Sequence, residues 1–283
     1  MHMKIVVLGT SAATSMPLVF CNCTVCKHSR KFGGKNIRKR SSIVINDELL
    51  IDLGPDAISA CNMYGIDVGK IKYLLQTHSH SDHFDAGHFV TRWSDYATKD
   101  LCHLDVVCSK GTAEDMNHWI NENENIDLFD EKWQQDLKYT LHMVRHGDTI
   151  HLGNYEIVAL DSGHDPRVEA FVYIISYKGI SIFYGTDMLK ISEEAWKILE
   201  KHKFDVVFLD QTYGKGCNAG GHPDAGMVSD YVKTMRIKGN TDEKSLVYAT
   251  HISHEGNATH EEMEKEAKLN GYRIAYDGMK LLL

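Results

Sequence analysis

The 283-residue chain is 43% hydrophobic and 25% charged, the composition of a globular protein able to bury a large core. Its 31 basic and 39 acidic residues give a formal net charge of −8, which argues against a generally basic nucleic-acid surface. No apolar run reaches the roughly 18 residues of a membrane span. The apolar run at 5–8 is too short for a signal peptide, so the chain reads as cytoplasmic. Its seven cysteines are then expected as metal ligands or small buried groups rather than disulfides.

Residues 4–8 are apolar and β-branched and stop at Gly9-Thr10, the pattern of a first strand. After the loop Ser11-Ala12-Ala13-Thr14-Ser15 come Cys21, Cys23 and Cys26. This C-x-C-x-x-C spacing is that of a structural metal site whose fourth ligand must come from elsewhere. Residues 27–40 hold seven Lys/Arg and no acid, the one basic block of the chain. It reads as a solvated loop beside the thiols, or as an electrostatic lip that attracts phosphate. Residues 42–45 and 49–51 form a hairpin across Asn46-Asp47. Asp52 follows, either capping a turn or accepting from a ligating histidine. Residues 55–64 are expected to be helical and 71–76 to form a buried strand.

That strand opens into His78-Ser79-His80-Ser81-Asp82-His83, three imidazoles and a carboxylate in six residues. In an extended segment, residues two apart face the same way, so His78 and His80 can grip one ion. Asp82 and His83 lie past the turn and can face a second. Imidazole suits zinc or iron, and carboxylate extends the choice to manganese. Next come an expected helix at 86–97, a strand at 104–107 and a helix at 111–122. Residues 123–138 read as a surface excursion. Strands at 139–144 and 155–160 follow, the second leading to His164. A second hairpin (171–176 and 180–184) ends at Asp187, which sits like a ligand or like the N-cap of a helix near 192–201. A strand at 206–209 leads to Asp210. Gly220-Gly221-His222 opens a helix running to about 238, and the strand 246–249 empties into His251-Ile252-Ser253-His254. A helix at 259–270 and strands at 272–276 and 279–283, joined by a tight turn at Asp277-Gly278, complete the chain. No 20–50-residue repeat and no Pro/Gly/Ser-rich linker divides it, so residues 1–283 are expected to form a single domain.

The ordered set His78-x-His80-x-Asp82-His83, His164, Asp187, His251 resembles the ligand set of the metallo-β-lactamase fold over nearly the whole chain. This implies an α+β four-layer αββα sandwich. The three cysteines and the Thr250-His251-Ile252-Ser253-His254 segment narrow the resemblance to the phosphoribosyl cyclic phosphate phosphodiesterases of phosphonate breakdown. The likeness implies two divalent metal ions, zinc or manganese. His78, His80 and His164 would hold one, Asp82, His83 and His251 the other, and Asp187 would bridge. It also implies a structural zinc on Cys21, Cys23, Cys26 and His254. His222 matches the family's active-site histidine that binds no metal. His222 and Asp82 are therefore the residues implied in catalysis. The expected activity is hydrolysis of a small, cyclic nucleotide- or sugar-phosphate diester. The expected partner is that small molecule, with no membrane, no nucleic acid and, since relatives often dimerise, a homodimer. The first loop departs from the family, which is usually glycine-rich there. The alternatives are a tRNA 3′-processing endoribonuclease with the same ligands and a non-catalytic accessory protein of cofactor synthesis.

Overall fold

Strands β1 (Lys4–Gly9), β2 (Ser42–Ile45), β3 (Leu49–Ile51), β4 (Tyr73–Leu75), β5 (Leu104–Cys108) and β6 (Tyr139–Met143) build one sheet in a computed structural model that describes residues 2–97, 100–217 and 220–283. Strands β7 (Thr149–Leu152), β8 (Tyr155–Asp161), β9 (Phe171–Tyr177), β10 (Ile180–Gly185), β11 (Val206–Asp210), β12 (Leu246–Thr250) and β13 (Arg273–Ile274) build another. The last strand, β14 (Lys280–Leu282), returns to the first. The sheet orders are β14-β1-β2-β3-β4-β5-β6 and β13-β12-β11-β10-β9-β8-β7. Pairing is parallel from β3 to β6 and from β10 to β13, and antiparallel elsewhere.

The central strands are apolar on both faces, and both faces are covered. Ile5, Val7, Ile43, Ile45 and Leu75 meet Ile157, Tyr173, Ile175, Tyr184 and Phe208 between the sheets. The alternate residues Val6, Leu8, Val44, Leu74 and Val106 pack under helices α2 (Ala57–Tyr64) and α4 (Lys110–Glu124). Ile174, Phe183, Val207, Leu209 and Val247 pack under α6 (Glu193–Leu199), α7 (Ala225–Ile237) and α8 (His260–Leu269). The result is the four-layer helix–sheet–sheet–helix order expected from the sequence.

Several local expectations change. The basic block is not a loop: α1 (Thr24–Phe32) runs through it, capped by the Cys23 side chain, which accepts from the Cys26 N–H. Arg38 is not solvated but 1% exposed. The helix α3 spans only Ala86–Val90. The chain turns after it, and Arg92 is drawn inward to donate to the carbonyls of Leu137, Cys102 and Lys138. The supposed excursion at 123–138 contains α5 (Glu131–Asp136) and buries Ile126, Leu128 and Leu137. β7 carries only one fully buried residue, Leu152, so its apolar pattern is too weak to signal a strand. The two closing strands do not form a hairpin. They lie in different sheets, because Asp277 in the connection accepts from Thr10 Oγ1 and from the Lys39 N–H and is held between them.

Arg38 is the polar centre of that junction. It donates to Thr10 Oγ1, to the Ala275 carbonyl and to His260 Nδ1 at 3.0 Å. An arginine cannot accept, so His260 Nδ1 must keep its lone pair. Burial and the Arg38 charge push the His260 imidazole down to about 4, against an ordinary value near 6.5. Between those values the unfolded chain binds a proton that the folded chain refuses, so this site's contribution falls as pH drops from about 6.5 to about 4. His260→Asn is expected to flatten that part of the stability profile. Denaturant titrations at several pH values check this; an unchanged slope would contradict it.

Candidate metal centre

Parallel strands that end on one edge of a sheet aim their last residues at a common point. Here Asp52 follows β3, His78 follows β4, Asp187 follows β10 and His251 follows β12. Asp52, Asp187 and His251 have φ of 65°, 50° and 56°, the left-handed region that non-glycine residues rarely enter. These bends turn the side chains off their strands and into the junction between the sheets. Gly54 lets the histidine loop press close: a Cβ there would lie 2.3 Å from the Asp82 carbonyl oxygen.

All seven residues of the expected ligand set come together. His78 Nε2 and His164 Nε2 lie 3.0 and 3.3 Å from His80 Nδ1. Asp82 Oδ2 lies 3.0 Å from His83 Nε2 and 3.8 Å from His251 Nε2. Asp187 stands between the two groups. Its Oδ2 is 2.8 Å from His83 Nε2 and 3.0 Å from His251 Nε2, while its Oδ1 is 3.5 Å from His164 Nε2. Yet His83 Nε2, His251 Nε2 and Asp187 Oδ2 are buried and make no hydrogen bond of proper geometry. Buried polar atoms are rarely left so. Donor atoms that converge without bonding one another are what shared divalent cations require, so the residues fit a dinuclear site. Asp187 lies in this cluster and is not the cap of α6, which Ser192 provides.

A second layer fixes the tautomers. His83 Nδ1 donates to Asp52 Oδ2 at 2.7 Å, which leaves its Nε2 lone pair for a ligand. Asp52 also accepts from the Thr77 N–H and hydroxyl, so it serves the histidine rather than a turn. His251 Nδ1 lies 2.8 Å from Thr212 Oγ1, whose hydroxyl donates to Asp210 Oδ1. His222 Nδ1 lies 2.9 Å from Asp210 Oδ2. Burial disfavours charge on His83, but with no cation beside it Asp187, Asp82 and Asp52 outweigh burial and favour a proton at Nε2, the position a metal ion would take in its place. Thr77, Asp210 and Thr212 were given no role from sequence. Asp210 carries the same signal as Asp52 and Asp187, an aspartate at the end of an apolar strand.

The thiols form a separate cluster. Cys21, Cys23 and Cys26 Sγ and a His254 nitrogen all lie within 4.8 Å of one another. Cys21 and Cys23 Sγ are 3.7 and 3.5 Å from His254 Nδ1, and no disulfide joins the described cysteines. Burial raises the Cys23 thiol, but the Cys26 N–H, His254 and Cys21 bring it down to about 6, toward the thiolate a metal needs. Three sulfurs and one imidazole fit a tetrahedral Cys3His zinc.

The histidine–aspartate cluster floors a cavity of about 480 Å³ whose wall includes Ala13, Thr14, Asp165, Arg167, Tyr213 and His222. His222 stacks 5.2 Å from His251. Its loop is held by the close approach of Gly214 to Gly256, where a Cβ would meet the carbonyl oxygen at 1.7 Å.

Residues 48–252 match the family model of a beta-lactamase superfamily domain. A diphosphatase from the PhnP family superposes with a TM-score of 0.75 at 21% identity, covering 100% of this chain and 98% of that one. Zinc-bound PqqB from Methylobacterium extorquens gives 0.68 at 14%, covering 99% of both chains. Human tRNase Z, short form, gives 0.67 at 16%, covering 98% of both. An octanoyltransferase of Porphyromonas gingivalis is 32% identical over 84 residues, 29% of this chain, and the match spans only 16% of that protein. No helix among the described residues is long and apolar enough to cross a membrane.

His254→Ala should lower both the metal content per chain, read by elemental mass spectrometry, and the melting temperature. A folded variant with wild-type metal content and melting temperature would contradict a metal at the thiols.

Proposed function

The chain belongs to the beta-lactamase superfamily and has the fold of its metal-dependent hydrolases, and on that premise we propose that it is a dinuclear-metal phosphodiesterase acting on a small, cyclic nucleotide- or sugar-phosphate diester. Residues 1–283 act as one catalytic domain. The observation that carries this reading is Asp187: one carboxylate, 3% exposed, presents an oxygen to each half of the ligand set.

His78, His80 and His164 would hold one zinc or manganese ion, Asp82, His83 and His251 the other, and Asp187 both. Such a pair supplies Lewis acidity that makes water a nucleophile at neutral pH and offsets phosphoryl charge. The chain's own residues do the rest. Asp52 and Thr212 orient His83 and His251 through their Nδ1 atoms. Asp82, besides binding metal, puts a carboxylate on the cavity floor. His222 lines the cavity with Nδ1 committed to Asp210, so Nε2 is the nitrogen left for substrate. A proton held on that nitrogen can pass to the leaving oxygen as the P–O bond breaks. General-acid help of this kind is worth about 10²–10⁴-fold. Asp210 is a positioning residue that acts through His222 and, by way of Thr212, through His251. Cys21, Cys23, Cys26 and His254 would hold a structural zinc and take no part in the chemistry.

A turnover screen of the metal-reconstituted protein tests this, with cyclic phosphates, linear diesters, an acyl thioester and tRNA side by side. The diesters are expected to turn over fastest; faster tRNA cleavage or thioester hydrolysis would overturn the reading. His80→Ala should abolish turnover of a bis-aryl phosphodiester in a folded protein, and full activity would refute the site. His222→Ala should cost most for poor leaving groups, with Asp210→Asn showing the same trend more weakly. An equal loss for every leaving group would remove the proton-donor role.

A further inference from the structure

A second cavity, of about 120 Å³, lies on the helix-covered face of the first sheet. It shares no described lining residue with the cavity over the histidine–aspartate cluster. Leu50, Leu74 and Leu104 reach it from the neighbouring strands β3, β4 and β5, Ile58 from α2, and the half-buried Val68 from the turn before β4. An apolar cavity of roughly 150 Å³ stays dry and accepts a molecule the size of benzene. Two of the polar side chains on its wall are committed elsewhere. His88 Nε2 donates to the Pro55 carbonyl, and the Thr91 hydroxyl donates to the His88 carbonyl.

Arg92 lines the same cavity and is not fully committed. Its Nε donates to the Leu137 carbonyl at 3.0 Å, and its Nη2 donates to the carbonyls of Cys102 and Lys138 at 2.7 and 3.0 Å. A guanidinium carries five N–H donors, so the two on Nη1 remain, with no acceptor among the described residues. Burial pulls the group down to about 10 from an ordinary value of about 12.5, and no carboxylate among the described residues counters it. Three carbonyl dipoles orient the cation but bring it no negative charge, whereas buried charges are normally paired.

We propose that this cavity is a binding site for a small apolar carboxylate, with the hydrocarbon body among the leucines and the carboxylate on Arg92 Nη1. A short acyl chain or a single aromatic ring matches the volume. The carboxylate supplies the charge that Arg92 lacks, through charge-assisted hydrogen bonds. A phosphate monoester would strand a second charge against apolar walls. A neutral amide of the same shape would fill the space and leave the cation unpaired. With no wall in common with the metal centre, the ligand is a second molecule and not the diester. An Arg92 that only tied its own segment to the end of α5 would be indifferent to added carboxylate.

Hexanoate, benzoate and the neutral hexanamide are the probes, titrated by calorimetry into metal-loaded protein. Hexanoate and benzoate should bind once per chain, about fivefold or more tighter than hexanamide, since hydrogen bonds to charged groups are the stronger kind. In zinc-loaded protein with labelled leucine methyls, hexanoate should shift the signals of Leu50, Leu74 and Leu104. Val68→Phe fills the cavity from its rim and should abolish this binding in a folded protein. Arg92→Gln should bring the preference for hexanoate over hexanamide to within about twofold of one. The methyl shifts decide the matter even where a variant does not fold. Absence of saturable binding, hexanamide binding as tightly as hexanoate, or hexanoate binding that moves none of these methyls and so lies at the metal centre would each overturn the proposal.

Discussion

The structure depends on the meeting of buried donors around Asp187. The carboxylate lies 2.8 and 3.0 Å from His83 and His251 Nε2 without a hydrogen bond of proper geometry, and 3.5 and 4.0 Å from His164 and His78 Nε2. Three residues of this region are held in left-handed backbone conformations, each at the carboxyl end of a strand. Strain of this type costs roughly 1–3 kcal/mol per residue and persists only where the surroundings over-determine it. The surroundings do so here. Asp52 is locked by Thr77, Gln76 and His83, and His251 by Thr212 and Asp210. The rigid parallel strands behind them supply the stiffness that loops alone could not.

The rest of the chain serves to bring the two sheets' strand ends into register. The inter-sheet core fixes their separation. Arg38 and Asp277 tie the beginning of the chain to its last strands through Thr10, Ala275 and Lys39. The thiol cluster closes the same circuit from outside, since Cys21–Cys26 and His254 are 228 residues or more apart in sequence and meet beside the first loop. The segment carrying His254 also carries His251, and it braces the bend at Gly214 through the Glu255 carbonyl. One short stretch thus connects the thiol cluster, the ligand set and the loop that delivers His222.

Much of this was legible in the sequence, for identifiable reasons. Closely spaced candidate donors such as His78 to His83 and Cys21 to Cys26 announce themselves, because a metal site needs several donors within a few residues. Strands buried on both faces read as continuous apolar runs. His164 and Asp187 stand alone in sequence, and only the order of the whole set singled them out. Among residues that act through another side chain, Asp52 was legible as one of two readings, because it ends an apolar strand near the histidine loop, and the others were not. Nothing local to Asp210 says that it holds His222, and nothing local to Arg38 says that a basic block turns inward. Both depend on partners more than ten residues away.

The central claim is that two divalent ions sit between these donors. Anomalous scattering from a crystal of the metal-loaded protein, collected on either side of the manganese and zinc absorption edges, tests it most directly. The account predicts two peaks flanking the Asp187 carboxylate, one against His78, His80 and His164 and the other against Asp82, His83 and His251, with a third, zinc-only peak at the thiols. A fully loaded crystal with no peak beside Asp187, or with a single ion bound away from that carboxylate, would contradict it.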